Sequence, residues 1–378
     1  MQMKNVMGLI HHVKDEEAFR EITKHRCVAA IPFGGKYRLV DFPLSNMTNA
    51  GISNIGIITS LKLRSLVDHL GTGKEWGLDR KRDGLFILPA VAANSEKNRR
   101  QLDLEDIYIN TDYLNNSKQE YVLLTGSNTV CNLDLRKVLA YHREKKADLT
   151  IIYKEGYQFL ERDVSRGVYL QKETNGRISG LSLGTPRKKA LVSMDMYLLK
   201  KSFLLKLLQE CATSGKWDFV REILPLKLEK RKIYGYAHEG YLGIVNSWQS
   251  LYRHQMELLS PEVWRELFFT KGMIHTKLKD GPPARYYQDA DVRNVFATPG
   301  CLIEGRVENS ILFRKVKIGR GAVIRNSILL SRVEVEEDVV LDGVILDKNV
   351  RIKKGMHLIS SSKNPVIIEK NQEVGGGL

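Results

Sequence analysis

Residues 318–335 read Ile318-Gly319-Arg320-Gly321-Ala322-Val323-Ile324-Arg325-Asn326-Ser327-Ile328-Leu329-Leu330-Ser331-Arg332-Val333-Glu334-Val335. Aliphatic residues fall six apart at Ile318, Ile324 and Leu330, and the same interval separates Val335 from Leu341 and links Leu346, Ile352 and Leu358. Over it lies a longer step, which leads from Ile318 to Val335 and again, with equal length, from Val335 to Ile352. The same step leads back from Ile318 to Cys301 and from Ile324 to Val307. Neither the period of a helix nor the alternation of a half-buried strand produces this spacing. A coil of three short sides does, if each side turns one aliphatic inward and residues such as Gly319, Gly321, Gly343 and Gly355 serve the turns.

The pattern resembles the hexapeptide repeat of left-handed parallel β-helices, and residues 291–378 are expected to form one. A stacked coil leaves flat faces that another body tends to cover. The runs Val339-Val340-Leu341 and Ser327-Ile328-Leu329-Leu330 offer such faces to a sister copy or to the rest of this chain. Just upstream, residues 271–290 contain Gly281-Pro282-Pro283 and are expected as a linker.

Residues 1–270 follow a different rule. Short apolar runs at 6–10, 54–59, 121–125 and 149–153 read as strands, and 61–70, 135–145, 203–210 and 245–258 have helical spacing. Buried strands alternating with helices imply crossover connections, hence an α/β domain with a Rossmann-like, mixed but mostly parallel sheet. Asn175-Gly176 marks a hairpin turn. Ligands of such sheets sit beyond the carboxyl ends of the strands, which directs attention to the loops after Ile10, Thr59 and Thr125.

Composition excludes several classes. The 378 residues are 43% apolar and 27% charged, as in ordinary soluble domains. The formal net charge of +15 is spread along the chain, without interleaved stacking aromatics or a nucleic-acid-binding signature. That distribution suits small anions better than nucleic acid. No apolar run has membrane-spanning length, and no cleavage pattern follows the short run at 6–10. Cys27, Cys131, Cys211 and Cys301 form no CxxC pair, which fits reduced thiols and a cytoplasmic location.

A longer motif is more specific. Ile31-Pro32-Phe33-Gly34-Gly35-Lys36-Tyr37-Arg38, followed by Val40-Asp41-Phe42-Pro43-Leu44-Ser45-Asn46, resembles the bacterial ADP-glucose pyrophosphorylase family, a nucleotidyltransferase family. Trp76-Gly77-Leu78-Asp79-Arg80, Ser193-Met194, Asp218-Phe219 and Gly240-Tyr241 continue the match in order, and Cys301-Leu302-Ile303-Glu304-Gly305 extends it into the second domain. The resemblance implies the fold already inferred, and an enzyme that couples glucose-1-phosphate to ATP with release of pyrophosphate. Joining two anions demands carboxylate-held magnesium, a glycine-rich loop for the triphosphate and cations on the reacting phosphates.

Against that pattern the chain departs at each point. The family's Gly-Gly-x-Gly-x-Arg-Leu loop is replaced by Ile10-His11-His12-Val13-Lys14, followed by the acids Asp15, Glu16 and Glu17. The lysine of Arg-Ala-Lys-Pro becomes Val28, and the first magnesium aspartate, in Gly-Asp-His, becomes Ser127. The lysine of Glu-Lys-Pro becomes Thr185, and the second magnesium aspartate becomes Ile244. Leu102-Asp103-Leu104-Glu105-Asp106 stands where the family has Gly-Thr-Ala. The resemblance therefore implies a chain without its own catalytic residues or metal, like the family's D-type subunits. Such a subunit pairs with a catalytic one in a mixed tetramer, and magnesium and ATP belong to that partner. The other reading is an active sugar-phosphate nucleotidyltransferase with a diverged site.

Arg26, Lys36 and Arg38 are candidates for holding an anionic effector, a sugar phosphate or nucleotide, or else for salt bridges between domains or subunits. His11 and His12 are adjacent on a strand and point to opposite faces, which disfavours a shared metal. Gly71-x-Gly73-Lys74 reads as a loop turn, and the lone His357 does not support the acyl-transfer chemistry of other β-helix enzymes.

Overall fold

The computed structural model describes residues 3–13, 16–59, 62–91, 102–184, 190–361 and 364–375. The expected strands form where apolar runs are buried on both faces: Val6–His11, Asn54–Thr59, Tyr121–Gly126 and Leu149–Glu155. Val6–His11 lies between Tyr121–Gly126 and Asn54–Thr59 and is parallel to both, and Gly84–Pro89 continues the sheet beyond Asn54–Thr59. On the other side the Leu191–Lys200 strand runs antiparallel to Tyr121–Gly126 and to Leu149–Glu155, and Ile233–Ala237 closes that edge parallel to Leu149–Glu155. The register of Leu191–Lys200 slips between Ser193 and Met196, and Asp195 there takes φ +55°, so the bulge re-aims its side chain. Asn175-Gly176 does turn a hairpin, between Val168–Lys172 and Ile178–Leu183, with Gly176 at φ +91°.

Helices cover both faces. Leu135, Val138 and Leu139 of Leu135–Glu144 join one hydrophobic cluster, and Leu204, Leu207 and Leu208 of Lys201–Ser214 join the other. The helix expected over 245–258 begins later, at Trp248, because Ser247 caps it reciprocally with Ser250. The helix expected over 61–70 begins at Arg64, after the non-helical Lys62 and Leu63; Leu61 lies outside the described residues.

The second domain is a parallel β-helix. Ile318 pairs with Val335 and Val335 with Ile352, while Val307, Ile324, Leu341 and Leu358 form a second ladder with the same step. Corners recur with left-handed backbone: Asn309, Asn326 and Gly343 at one, Lys315, Arg332 and Asn349 at the next, Gly321, Asp338 and Gly355 at the third. A triangular coil needs a tight turn at every corner, which is why Gly, Asn and Asp gather there.

Four expectations change. Ile318 pairs with Ile303 and not with Cys301, because the coil between them is two residues shorter than the one before it and the next one. Leu329, not Leu330, is the inward residue of its side: Leu329 joins the coil core, whereas Ile328 and Leu330 join Ile311, Phe313 and Ile345 on the outer face. That face is covered by Tyr252, Leu258, Leu267 and Phe268 of the first domain, and Val339 and Leu341 point into the coil, so neither run offers a free surface of its whole length. Finally, Arg285–Tyr286 already pairs in parallel with Leu302–Ile303, so the segment expected as a linker contains the first rung. At the far end one side lengthens: Ile345 pairs with Ile367, whereas Val340 still pairs with His357 at the usual interval.

Gly34 and Gly35 of the long motif take φ +52° and +75°. A Cβ on Gly35 would lie 2.5 Å from Phe296 of the β-helix domain, so the glycine permits the domains to touch.

Candidate functional site

The carboxyl ends of Val6–His11 and Tyr121–Gly126 meet where the resemblance places chemistry. Ser127 N–H donates to the His11 carbonyl at 3.1 Å. His11 Nε2 lies 3.0 Å from Asp195 Oδ2, and His12 Nδ1 lies 3.8 Å from Asp106. The two histidines thus face different carboxylates. Burial pulls the His11 pKa down, but attraction to Asp195 outweighs it and leaves the group raised above its ordinary value. Asp106 Oδ1 also accepts from Val91 N–H at 2.8 Å, which ties the Leu102-to-Asp106 segment to the end of the Gly84–Pro89 strand.

Ser127 and Ile244 approach one another through the short pairing of Thr129–Val130 with Gly243–Ile244. Ser127 Oγ is buried without a hydrogen-bond partner among the described residues. Ile244 is 7% exposed and joins the cluster containing Met194 and Leu242, with Tyr157 and Phe159 against it. Magnesium takes oxygen ligands, chiefly carboxylates. A hydroxyl and a buried aliphatic chain do not supply them, so the residues present do not fit the metal implied by the family. Asp195 is the carboxylate nearest Gly126, where a Cβ would stand 2.5 Å from its Oδ2, and it is engaged with His11.

A polar network that the motifs mark only at Tyr241 and Ile244 fixes the Gly240-to-Val245 segment. Ile244 N–H donates to Tyr157 Oη at 3.0 Å, and His254 Nε2 stands 3.0 Å from the same oxygen. His254 Nδ1 lies 2.8 Å from Glu257 Oε2, to which Tyr241 Oη donates at 2.7 Å. Burial pushes the Tyr157 phenol up to about 12, so it remains protonated. The spacing of His254 and Glu257 on one helix face is the signal that could have found it.

Val28 sits in the hydrophobic cluster of Phe19, Ile22, Ile31 and Trp248, so the position of the family's lysine is core. Thr185 lies outside the described residues.

Of the three candidate cations, Arg26 and Arg38 lie close enough for their charges to oppose one another, whereas Lys36 stands on the surface. Arg26 is 2% exposed, with Nη2 donating to Asp347 Oδ1 of the β-helix at 3.0 Å and Nη1 to the Ile22 carbonyl at 3.2 Å. It is an interdomain ion pair. Arg38 Nη1 donates to the Ser65 carbonyl at 2.6 Å, and burial lowers its pKa to about 10. Lys36 is exposed, its Nζ 5.0 Å from the Tyr37 ring. Sequence reasoning missed the partners that the β-helix brings up. Lys348 is held at about 7 by burial and by the positive charges of Arg38, Arg26 and Lys279, against which Asp347 acts alone. Lys279 is lowered by burial and by Arg314 and Arg38. Five cations, from both domains and the segment between them, therefore gather where the domains meet. Among the described residues, no group of three or more His, Cys, Asp or Glu side chains is arranged to hold a metal ion, and no helix is long and apolar enough to cross a membrane.

The fold and the residues at these strand ends define a nucleotidyltransferase-type domain carrying a hexapeptide coil. Accordingly, the family model described as nucleotidyl transferase matches residues 17–261, and that described as GlmU-like, C-terminal hexapeptide, matches residues 282–363. The chain is 34% identical over 365 residues to glycogen biosynthesis protein GlgD of Bacillus subtilis (strain 168), covering 97% of this chain and 96% of that protein. It is 36% identical to GlgD of Geobacillus stearothermophilus over 84% of this chain and 82% of that one. Glucose-1-phosphate adenylyltransferase of Bacillus subtilis (strain 168) is 34% identical, over 80% of each chain. The chain belongs to the family of glucose-1-phosphate adenylyltransferases, or ADP-glucose pyrophosphorylases, and their GlgD relatives.

Proposed function

We propose that this chain is a regulatory, catalytically impaired subunit of glucose-1-phosphate adenylyltransferase in glycogen biosynthesis, acting in the cytoplasm. It assembles with a catalytic subunit in a heterotetramer and modulates it. The observation that carries this reading is Ile244, buried among Met194, Leu242 and Tyr157 where the family's second magnesium aspartate stands. Loss of a single electrostatic stabiliser costs about 10²–10³ in rate, and here both carboxylate positions are gone. The names of the GlgD relatives support the pathway. The gathering of Arg26, Arg38 and Lys348 supports an anionic effector, a sugar phosphate or nucleotide, with Lys36 a candidate by its motif alone.

The test is glucose-1-phosphate-dependent pyrophosphate exchange with ATP and magnesium. The chain is assayed alone and then with a catalytic subunit from the same source. Silence alone, together with an altered rate or apparent affinity in the partner, is the expected result. Turnover by the purified chain alone would overturn it in favour of an active nucleotidyltransferase with a diverged site.

A further inference from the structure

A separate cavity of about 830 Å³ opens at the outer edge of the first domain's sheet, where the Ile233–Ala237 strand ends. Its size lies within the range of small-molecule sites. The strand pairs with Leu149–Glu155 on one side. On its other side Gly235 N–H donates to the Gly176 carbonyl of the hairpin turn at 3.0 Å. Backbone groups alternate along a strand, so the N–H and C=O of Ala237, which lines the cavity, also point outward.

The walls are aromatic. Tyr141, from the Leu135–Glu144 helix, meets Tyr236 edge to face with centroids 5.5 Å apart. Tyr153 is held in place by Lys172, whose Nζ donates to its Oη at 2.9 Å and stands 5.3 Å from its ring centre. Two glycines make room: a Cβ on Gly176 would lie 2.9 Å from Tyr141 Oη, and one on Gly235 would lie 2.8 Å from the Tyr153 ring. His238, 3% exposed, also lines the cavity, and its Nε2 donates to the Tyr241 carbonyl at 3.1 Å. Its Nδ1, left as an acceptor, has no hydrogen-bond partner among the described residues. Burial lowers the His238 pKa to about 4, so the ring is neutral at physiological pH.

The charges at the rim do not converge on a phosphate. Arg136 is taken by Asp134, at 2.8 Å, and Lys172 by Tyr153. Lys137 and Lys271 share the rim with Glu239. Amphipathic rings, hydroxyl donors and the outward backbone groups of Ala237 instead match a molecule with apolar C–H faces and many hydroxyls. We propose that this cavity is a carbohydrate site for a short neutral oligosaccharide, with Tyr141 and Tyr236 lying against the sugar faces and the Ala237 backbone meeting its hydroxyls. The proposal goes beyond the regulatory-subunit reading and does not rest on it.

The test is calorimetric titration of the full chain with maltotetraose, using glucose-1-phosphate as the charged comparator. Saturable binding of maltotetraose, insensitive to added salt, is expected. Tyr141→Ala and Tyr236→Ala should each weaken it about tenfold, with thermal unfolding checked to show an intact fold. Lys137→Glu with Lys271→Glu should leave it unchanged, and provides a second measurement should the tyrosine variants misfold. Three results would overturn the proposal: no binding of maltotetraose to the parent chain, binding indifferent to both tyrosines, or salt-sensitive binding of glucose-1-phosphate that the lysine changes abolish. None of these would alter the outcome of the exchange assay, so the two readings fail separately.

Discussion

Arg26 and Asp347, one near each end of the chain, share a buried, charge-assisted hydrogen bond. Removing one partner of such a pair strands the other charge, so Arg26→Ala should cost about 3–5 kcal/mol, read as a shift in urea unfolding. Replacing both, as Arg26→Met with Asp347→Leu, should restore most of that loss, since the desolvation of two ions is no longer required. His11 makes a prediction of a different kind. Its folded-state pKa is raised, so its pairing with Asp195 contributes stability in full below the unfolded value of about 6.5. That contribution fades as pH rises through the folded value. The unfolding gap between the parent chain and His11→Gln should therefore be widest in mild acid and narrow toward alkaline pH. At this scale the replacements Val28, Ser127 and Ile244 are legible from motif alone, because matched residues flank them. The company these positions keep is not legible. Asp195 reaches His11 through a slip in strand register, and Lys348 reaches Arg38 only after two domains dock, and neither event leaves a local mark in the chain.

Among elements, the coil is the easiest to read, because an inward aliphatic at each side is a requirement of closure and repeats with it. Leu341 is fully buried between Ile324 and Leu358, and Leu341→Ala should cost about 2–5 kcal/mol by opening a cavity where neighbouring rungs cannot collapse. Denaturation followed by β-sheet circular dichroism checks it. Periodicity misplaces Cys301 and Leu330 by small offsets. A hexad ruler assumes equal sides, whereas one early coil is two residues shorter than its neighbours and one side turns Leu329 inward while Leu330 faces out. Strands of the α/β domain lie close to their apolar runs, since double-sided burial demands that such runs be unbroken. The helix expected over 245–258 starts late because spacing does not register the cap at Ser247.

For the molecule as a whole, the interface between domains is what the sequence conceals. The apolar runs on the coil are visible, but their cover, the helices bearing Tyr252 and Phe268, could as easily have been a sister copy. Gly35 gives a way to loosen this joint without touching either core. Gly35→Val meets both a strained φ and the Phe296 ring, so limited proteolysis should cut the variant faster within 271–284 while both domain fragments survive.

Between Ile359 and Val366 the stack holds more chain than its neighbouring coils require, and the ladders on either side stay in register. Length at that corner is thus uncoupled from shape. A short epitope spliced in there would hang from the protein as a handle, reporting on its assemblies while leaving the rungs beneath it undisturbed.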